Sequence, residues 1–153
     1  MGDPDNPAAA GFFLGTVVGS RPMSSLPFLD TAQALQDLMP EHATACECAL
    51  QRCAGWDSLS DTEWPHADLP ALASLRDPGL DEPTFAEHHP HGTRYESADA
   101  PVALKFFPYN RCEVHACRRC GQTVLRYTEF GGYYVDQRAR RIGKDSVLDD
   151  HSA

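Results

Sequence analysis

The sequence predicts an α+β fold: an N-terminal helix and short helical turns packed on an antiparallel β-meander that carries a cysteine knuckle. Three observations lead there. Residues 31–39 place apolar side chains at helical spacing behind a capping residue. Residues 123–130, Thr-Val-Leu-Arg-Tyr-Thr-Glu-Phe, alternate with a period of two and run into Gly131-Gly132. Six cysteines fall in two clusters, C-x-C-x4-C at 46–53 and C-x4-C-x2-C at 112–120. At 153 residues and 42% hydrophobic, the chain can bury a core of its own. Eleven glycines and twelve prolines favour short elements over a long helical bundle.

From the N-terminus, residues 8–19 form an apolar stretch preceded by the acidic Gly-Asp-Pro-Asp-Asn-Pro. A secretory signal needs a basic region there and a small-residue cleavage site after it, and neither is present. Residues 1–22 therefore read as a disordered leader, with Met23 a natural start and a cytoplasmic location expected. No apolar run reaches the ~18–20 residues that span a bilayer.

Asp30 or Thr31 can cap a helix to about Met39, with Ala34, Leu35, Leu38 and Met39 on one face and Pro40 ending it. The stretch 57–99 is rich in Pro, Asp and His, which predicts helical turns near Asp61–Trp64, Leu69–Leu75 and Thr84–His88. Val102–Phe107 and Cys112–Ala116 read as strands, followed by the alternating strand Thr123–Phe130. A Gly-Gly pair can take φ > 0 at both positions, so Gly131-Gly132 predicts a two-residue hairpin with Tyr133–Asp136 returning. Residues 137–153 read as polar, ending in a short helix or a frayed tail, with 145–153 flexible. The domain then spans 23–144.

Charge is unevenly spread. Residues 1–104 balance at −12, residues 105–144 at +6, and the last nine at −3, giving −9 overall. An acidic chain is a poor non-specific ligand for phosphate backbones.

The cysteines carry the chemistry. Cys117-Arg118-Arg119-Cys120-Gly121 is a C-x-x-C-G turn between two predicted strands. Thiolates at that spacing suit one tetrahedral metal site, and the glycine allows the sharp turn beneath them. Three disulfides would need an oxidising compartment. A redox C-x-x-C belongs at a helix start in a βαβ unit. An iron–sulfur cluster or mononuclear iron is a further alternative.

This arrangement resembles the zinc-ribbon superfamily over residues 46–56 and 112–130, within a predicted ribbon-like part of 46–56 plus 102–136. The resemblance implies one structural Zn2+ clamped by two knuckles. On that basis its ligands are Cys48, Cys53, Cys117 and Cys120, with Cys46, Cys112 and His42 as alternatives. Cys53 is followed by Ala54 before Gly55, a departure from the immediate glycine of the family. Cys112 reads more simply as a buried thiol. Four thiolates on Zn2+ carry −2, which Arg111, Arg118, Arg119 and Arg126 could neutralise. The run Leu125–Tyr134 is also similar to stretches of small bacterial proteins that have no assigned activity.

Two weaker signals remain. His88, His89 and His91, in Glu-His-His-Pro-His, could form a second metal site and hence a metallohydrolase centre. The simpler reading is an exposed polar loop. The aromatics from Phe106 to Tyr134 should divide between core and surface. Arg126, Tyr133, Tyr134, Arg138, Arg140 and Arg141 are the candidate binding surface, since Tyr and Arg are enriched at interface hot spots. No G-x-S-x-G, Walker A, H-E-x-x-H or dinucleotide motif occurs. The expected function is a protein–protein interaction module with a basic partner, of which a toxin-neutralising (immunity-type) protein is one form. Nucleic-acid binding through the Arg/Tyr face is the alternative.

Overall fold

The computed structural model describes residues 26–42 and 49–149. The expected leader 1–22, Cys46, Cys48 and residues 150–153 lie outside them. The described chain contains one α-helix, α1 (Ala32–Leu38), and five strands. These are β1 (Asp57–Ser58), β2 (Ala71–Ser74), β3 (Glu113–Ala116), β4 (Thr123–Phe130) and β5 (Val135–Ile142). They form one sheet in the order β1-β5-β4-β3-β2, and every pairing is antiparallel. No helix among the described residues is long and apolar enough to cross a membrane.

Helix α1 starts where Thr31 Oγ1 accepts from the Ala34 amide at 3.1 Å, so one otherwise orphaned helix donor is satisfied. It stops before Pro40, with the Met39 amide bonded back to Gln36. Its buried face is Ala32, Leu35 and Met39: of the expected Ala34, Leu35, Leu38 and Met39, Leu35 and Met39 are buried, whereas Leu38 is exposed. Positions i, i+3 and i+7 make the narrower stripe that one sheet face can cover.

The sheet is covered on both faces, and the alternation of β4 assigns residues to each. Leu125 and Tyr127 point into the larger core with Leu35, Trp56, Val102, Tyr109, Cys112 and Val114. Val124 points into a smaller core with Cys53, Leu59, Trp64, Leu69, Cys117, Cys120 and Ala139. The segment between β1 and β2 runs across this second face as a strap. Trp64 lies at its middle, edge-on to His115 of β3 at 5.0 Å and under the Arg126 guanidinium of β4 at 4.4 Å.

Several elements differ from expectation. Leu69–Leu75 contains β2, not a helical turn. Its pairing with β3 is irregular between Ala71 and Ala73, which leaves Leu72 facing water. Thr84–His88 is non-helical. Val102–Phe107 is buried coil with one bridge, Val102 to Val147, so its apolar run reflects burial and not pairing. The β4–β5 loop has four residues, 131–134, closed by the Gly131 amide on the Tyr134 carbonyl at 2.8 Å. Neither glycine takes positive φ. Gly131 is needed for a different reason: a Cβ there would meet the Tyr134 ring at 2.2 Å.

The return strand therefore begins at Val135 and extends to Ile142, through residues expected to be a polar tail. Residues 147 and 148 pack back onto the fold. Val147 is buried, and the Leu148 amide donates to the Val102 carbonyl at 2.9 Å.

Candidate functional site

The cysteine knuckle forms between β3 and β4. Cys117 follows β3 directly, and residues 118–120 turn. The Cys117 amide donates to Gln122 O at 2.9 Å, and the Gly121 amide to Cys117 O at 2.8 Å. Gly121 sits at φ +79°, a conformation that glycine adopts without steric cost. The strap holds the same turn from outside, since the Arg118 amide donates to Asp68 O at 2.8 Å.

Cys53 reaches this face from the other side of the sheet. It follows the 3-10 turn Ala49–Arg52, and its carbonyl accepts from the Arg141 amide of β5 at 2.9 Å. Gly55, two residues on, packs so closely that a Cβ would lie 2.9 Å from the Glu96 carbonyl oxygen. Cys53, Cys117 and Cys120 are thus buried in one small core although 63 residues separate the first two in sequence. Among the described residues, no three His, Cys, Asp or Glu side chains converge into a group able to hold a metal. The expected fourth ligand, Cys48, and its alternative Cys46 lie outside the described residues.

Cys112 belongs to the other core. Its thiol donates to the Pro108 carbonyl at 3.3 Å, and burial pushes its pKa well above the usual thiol value. It is a packed thiol on the face away from Cys117. His42 is exposed.

The histidine loop is occupied by local contacts. His89 bonds Glu87 through Nε2 at 2.7 Å and Thr93 through Nδ1 at 2.9 Å. His88 stacks on Phe106 at 4.8 Å, and His91 is exposed. Both ring nitrogens of His89 are already engaged, so the three rings are not arranged as one ligand set.

The expected Arg/Tyr face divides. Arg140 is 1% exposed, contrary to its assignment to the surface. It bonds the Tyr109 hydroxyl and the carbonyls of Ala98 at 3.0 Å and Ala100 at 2.7 Å. Arg126 pairs with Asp61 at 2.6 Å and covers Trp64. Arg138 sits between Glu129 at 2.8 Å and Asp136 at 3.1 Å. Arg141 is half-buried. What stays in water is the hairpin tip: Tyr133 is fully exposed, Phe130 is 76% exposed, and Tyr134 and Val135 are more than half exposed.

Beside that tip lies a groove of about 670 Å³, lined by Phe28, Phe85, Phe107, Tyr127 and Phe130 with charged residues among them. The sequence did not single this groove out. Its walls come from residues 26–28, 74–85, 107–113 and 127–130, and only the isolated apolar Phe85 in a polar stretch hints at it. Behind it, Tyr95 and Tyr127 share a hydroxyl–hydroxyl hydrogen bond. Burial raises the pKa of both phenols, Tyr95 to about 12. No protein family, curated protein or solved structure matches the chain.

Proposed function

We propose that this chain is a small zinc-stabilised protein-interaction module, for which an immunity-type role is one concrete form. The observation that carries the interaction reading is the β4–β5 tip. Four large apolar or aromatic side chains within six residues there, Phe130 and Tyr133–Val135, stand in water beside an aromatic groove. Contiguous exposed apolar surface of this kind marks contact with another macromolecule. Three of the four arginines expected on that face are engaged inside the chain: Arg126 and Arg138 on carboxylates, Arg140 in the core. That favours a protein partner over phosphate backbones.

The zinc reading is supported by Cys53, Cys117 and Cys120 sharing one buried core and by the left-handed Gly121 beneath the second pair. Cys48 completes the proposed set, with Cys46 as its alternative. The proposed donor set is all thiolate, so bound Zn2+ would supply folding free energy and no open catalytic position. Arg118 and Arg119 are exposed beside it, suited to offset thiolate charge.

Two experiments test this reading. Metal content is measured on protein purified without a His tag, and unfolding is followed by circular dichroism as a chelator is added. One zinc per chain, lost in Cys117→Ser with loss of tertiary signal, is expected. Metal-free folded protein refutes the zinc assignment. A photo-crosslinking residue at Tyr133 should yield a protein adduct in the producing cells, and absence of any adduct counts against the interaction surface.

A further inference from the structure

We propose that the groove beside the hairpin tip docks a basic segment of the partner protein, taking a Lys or Arg side chain carried next to an apolar residue. This deepens the interaction reading above and rests on it. The groove already shows how it would hold such a group. Arg111, in its wall, lays its guanidinium 4.0 Å from the Phe85 ring centre while pairing with Glu82 at 2.9 Å. An aromatic face with a carboxylate at its edge is favourable for a planar cation.

Three carboxylates line the groove against two guanidiniums. The guanidiniums are committed. Arg76 donates to the carbonyls of Asp77, Leu80 and Asp81, and Arg111 to Glu82 and Pro83 O. The carboxylates each keep an oxygen in reserve among the described contacts. Glu82 uses Oε2 on Arg111, Glu113 uses Oε1 on His115 at 3.3 Å, and Glu129 uses Oε1 on Arg138. Phe85 and Phe130 meanwhile present largely exposed rings. Carboxylate oxygens lining the same groove as the exposed Phe130 ring are complementary to a cation with an apolar neighbour. The charge of −9 on the whole chain would steer such a partner inward.

The test is selection of a random twelve-residue phage-displayed peptide library on the full chain, with a fluorescein-labelled dT15 oligonucleotide titrated in parallel. Enriched peptides should pair Lys or Arg with an aromatic or aliphatic residue. At low salt, synthetic versions should lose roughly tenfold in affinity on Glu113→Gln/Glu129→Gln, and raising salt should weaken wild-type binding toward that of the variant. Should that double variant fail to fold, Phe130→Lys serves instead. Phe130 is exposed, so this change places a cation in the groove without disturbing a core, and it should abolish binding. Enriched peptides without basic residues, or peptides that bind both variants unchanged, overturn the groove assignment. If those peptides are instead lost in Tyr133→Ala, the interaction reading survives without it. No enriched peptide, with dT15 bound, overturns both.

Discussion

Arg140 offers the sharpest test of the packing. It sits mid-strand in β5 with no carboxylate partner among the described residues, and its two terminal nitrogens bond two carbonyls and the Tyr109 hydroxyl beside the Tyr109 ring face. Arg140→Ala would strand two buried acceptors, the Tyr109 hydroxyl and the Ala100 carbonyl, and open a cavity in a closely packed core. Hydrogen bonds to a charged group contribute about 1.5–3 kcal/mol each, offset in part by the relief of no longer burying the charge. The expected net loss is about 3–5 kcal/mol, a large share of a typical domain's 5–15 kcal/mol. For a domain of this size that lowers the melting temperature by roughly 10–20 °C. Arg140→Met strands the same acceptors but keeps most of the volume, so its loss should be smaller by about the 1–2 kcal/mol that the cavity costs. Urea titration of the three proteins measures both differences, with similar m-values confirming that the same surface unfolds. A loss under 1 kcal/mol for Arg140→Ala, or equal losses for Ala and Met, would refute this account of the side chain.

Two further outcomes follow from local geometry and titration. Gly121→Ala forces an L-residue to φ +79° and should cost about 1–2 kcal/mol in thermal unfolding, whereas Gly132→Ala, with open space around it, should cost far less. A phenol whose folded pKa is raised favours its neutral form in the fold, so its contribution is complete below the unfolded value of about 10. For Tyr95 that contribution is lost as pH climbs towards about 12. Stability measured from pH 9 to 12 should therefore fall, with late phenolate absorbance; a flat profile would contradict the burial of the Tyr95–Tyr127 pair.

The sequence was most legible where one local rule decided the outcome. Thr31 capped α1 because its hydroxyl can reach Ala34, and Pro40 stopped it. The bounds of β4 matched the alternating run because one face meets each core. It was least legible where tertiary context overrode composition. β5 reads Val-Asp-Gln-Arg-Ala-Arg-Arg-Ile, which looks like a solvated tail until Arg140 is seen satisfied by carbonyls 40 and 42 residues away. β2, Ala-Leu-Ala-Ser, lacks the β-branched residues that mark strands and is held in place by β3. Of the candidate metal site, the Cys117–Cys120 turn and its glycine were readable from spacing. Cys53 was grouped with that turn through the zinc-ribbon resemblance, but its anchor was not readable, because the Arg141 amide that holds it belongs to the strand mistaken for a tail.

The strap across the smaller core has a consequence for synthesis on the ribosome. β3, β4 and β5 are contiguous in sequence, so they can pair as soon as they emerge. β1 and β2 have less to pair with at that stage: among the described residues their strand partners are β5 and β3, which are made later, and β2 has otherwise only its bridge from Ser74 to Phe28. Cys53, Leu59, Trp64 and Leu69 must therefore wait, unsheltered, for the last third of the chain before they have a surface to close upon. A ribosome stalled before residue 142 would hold a nascent chain whose first half has no sheet to fold against, and quality-control proteases would meet it in that state.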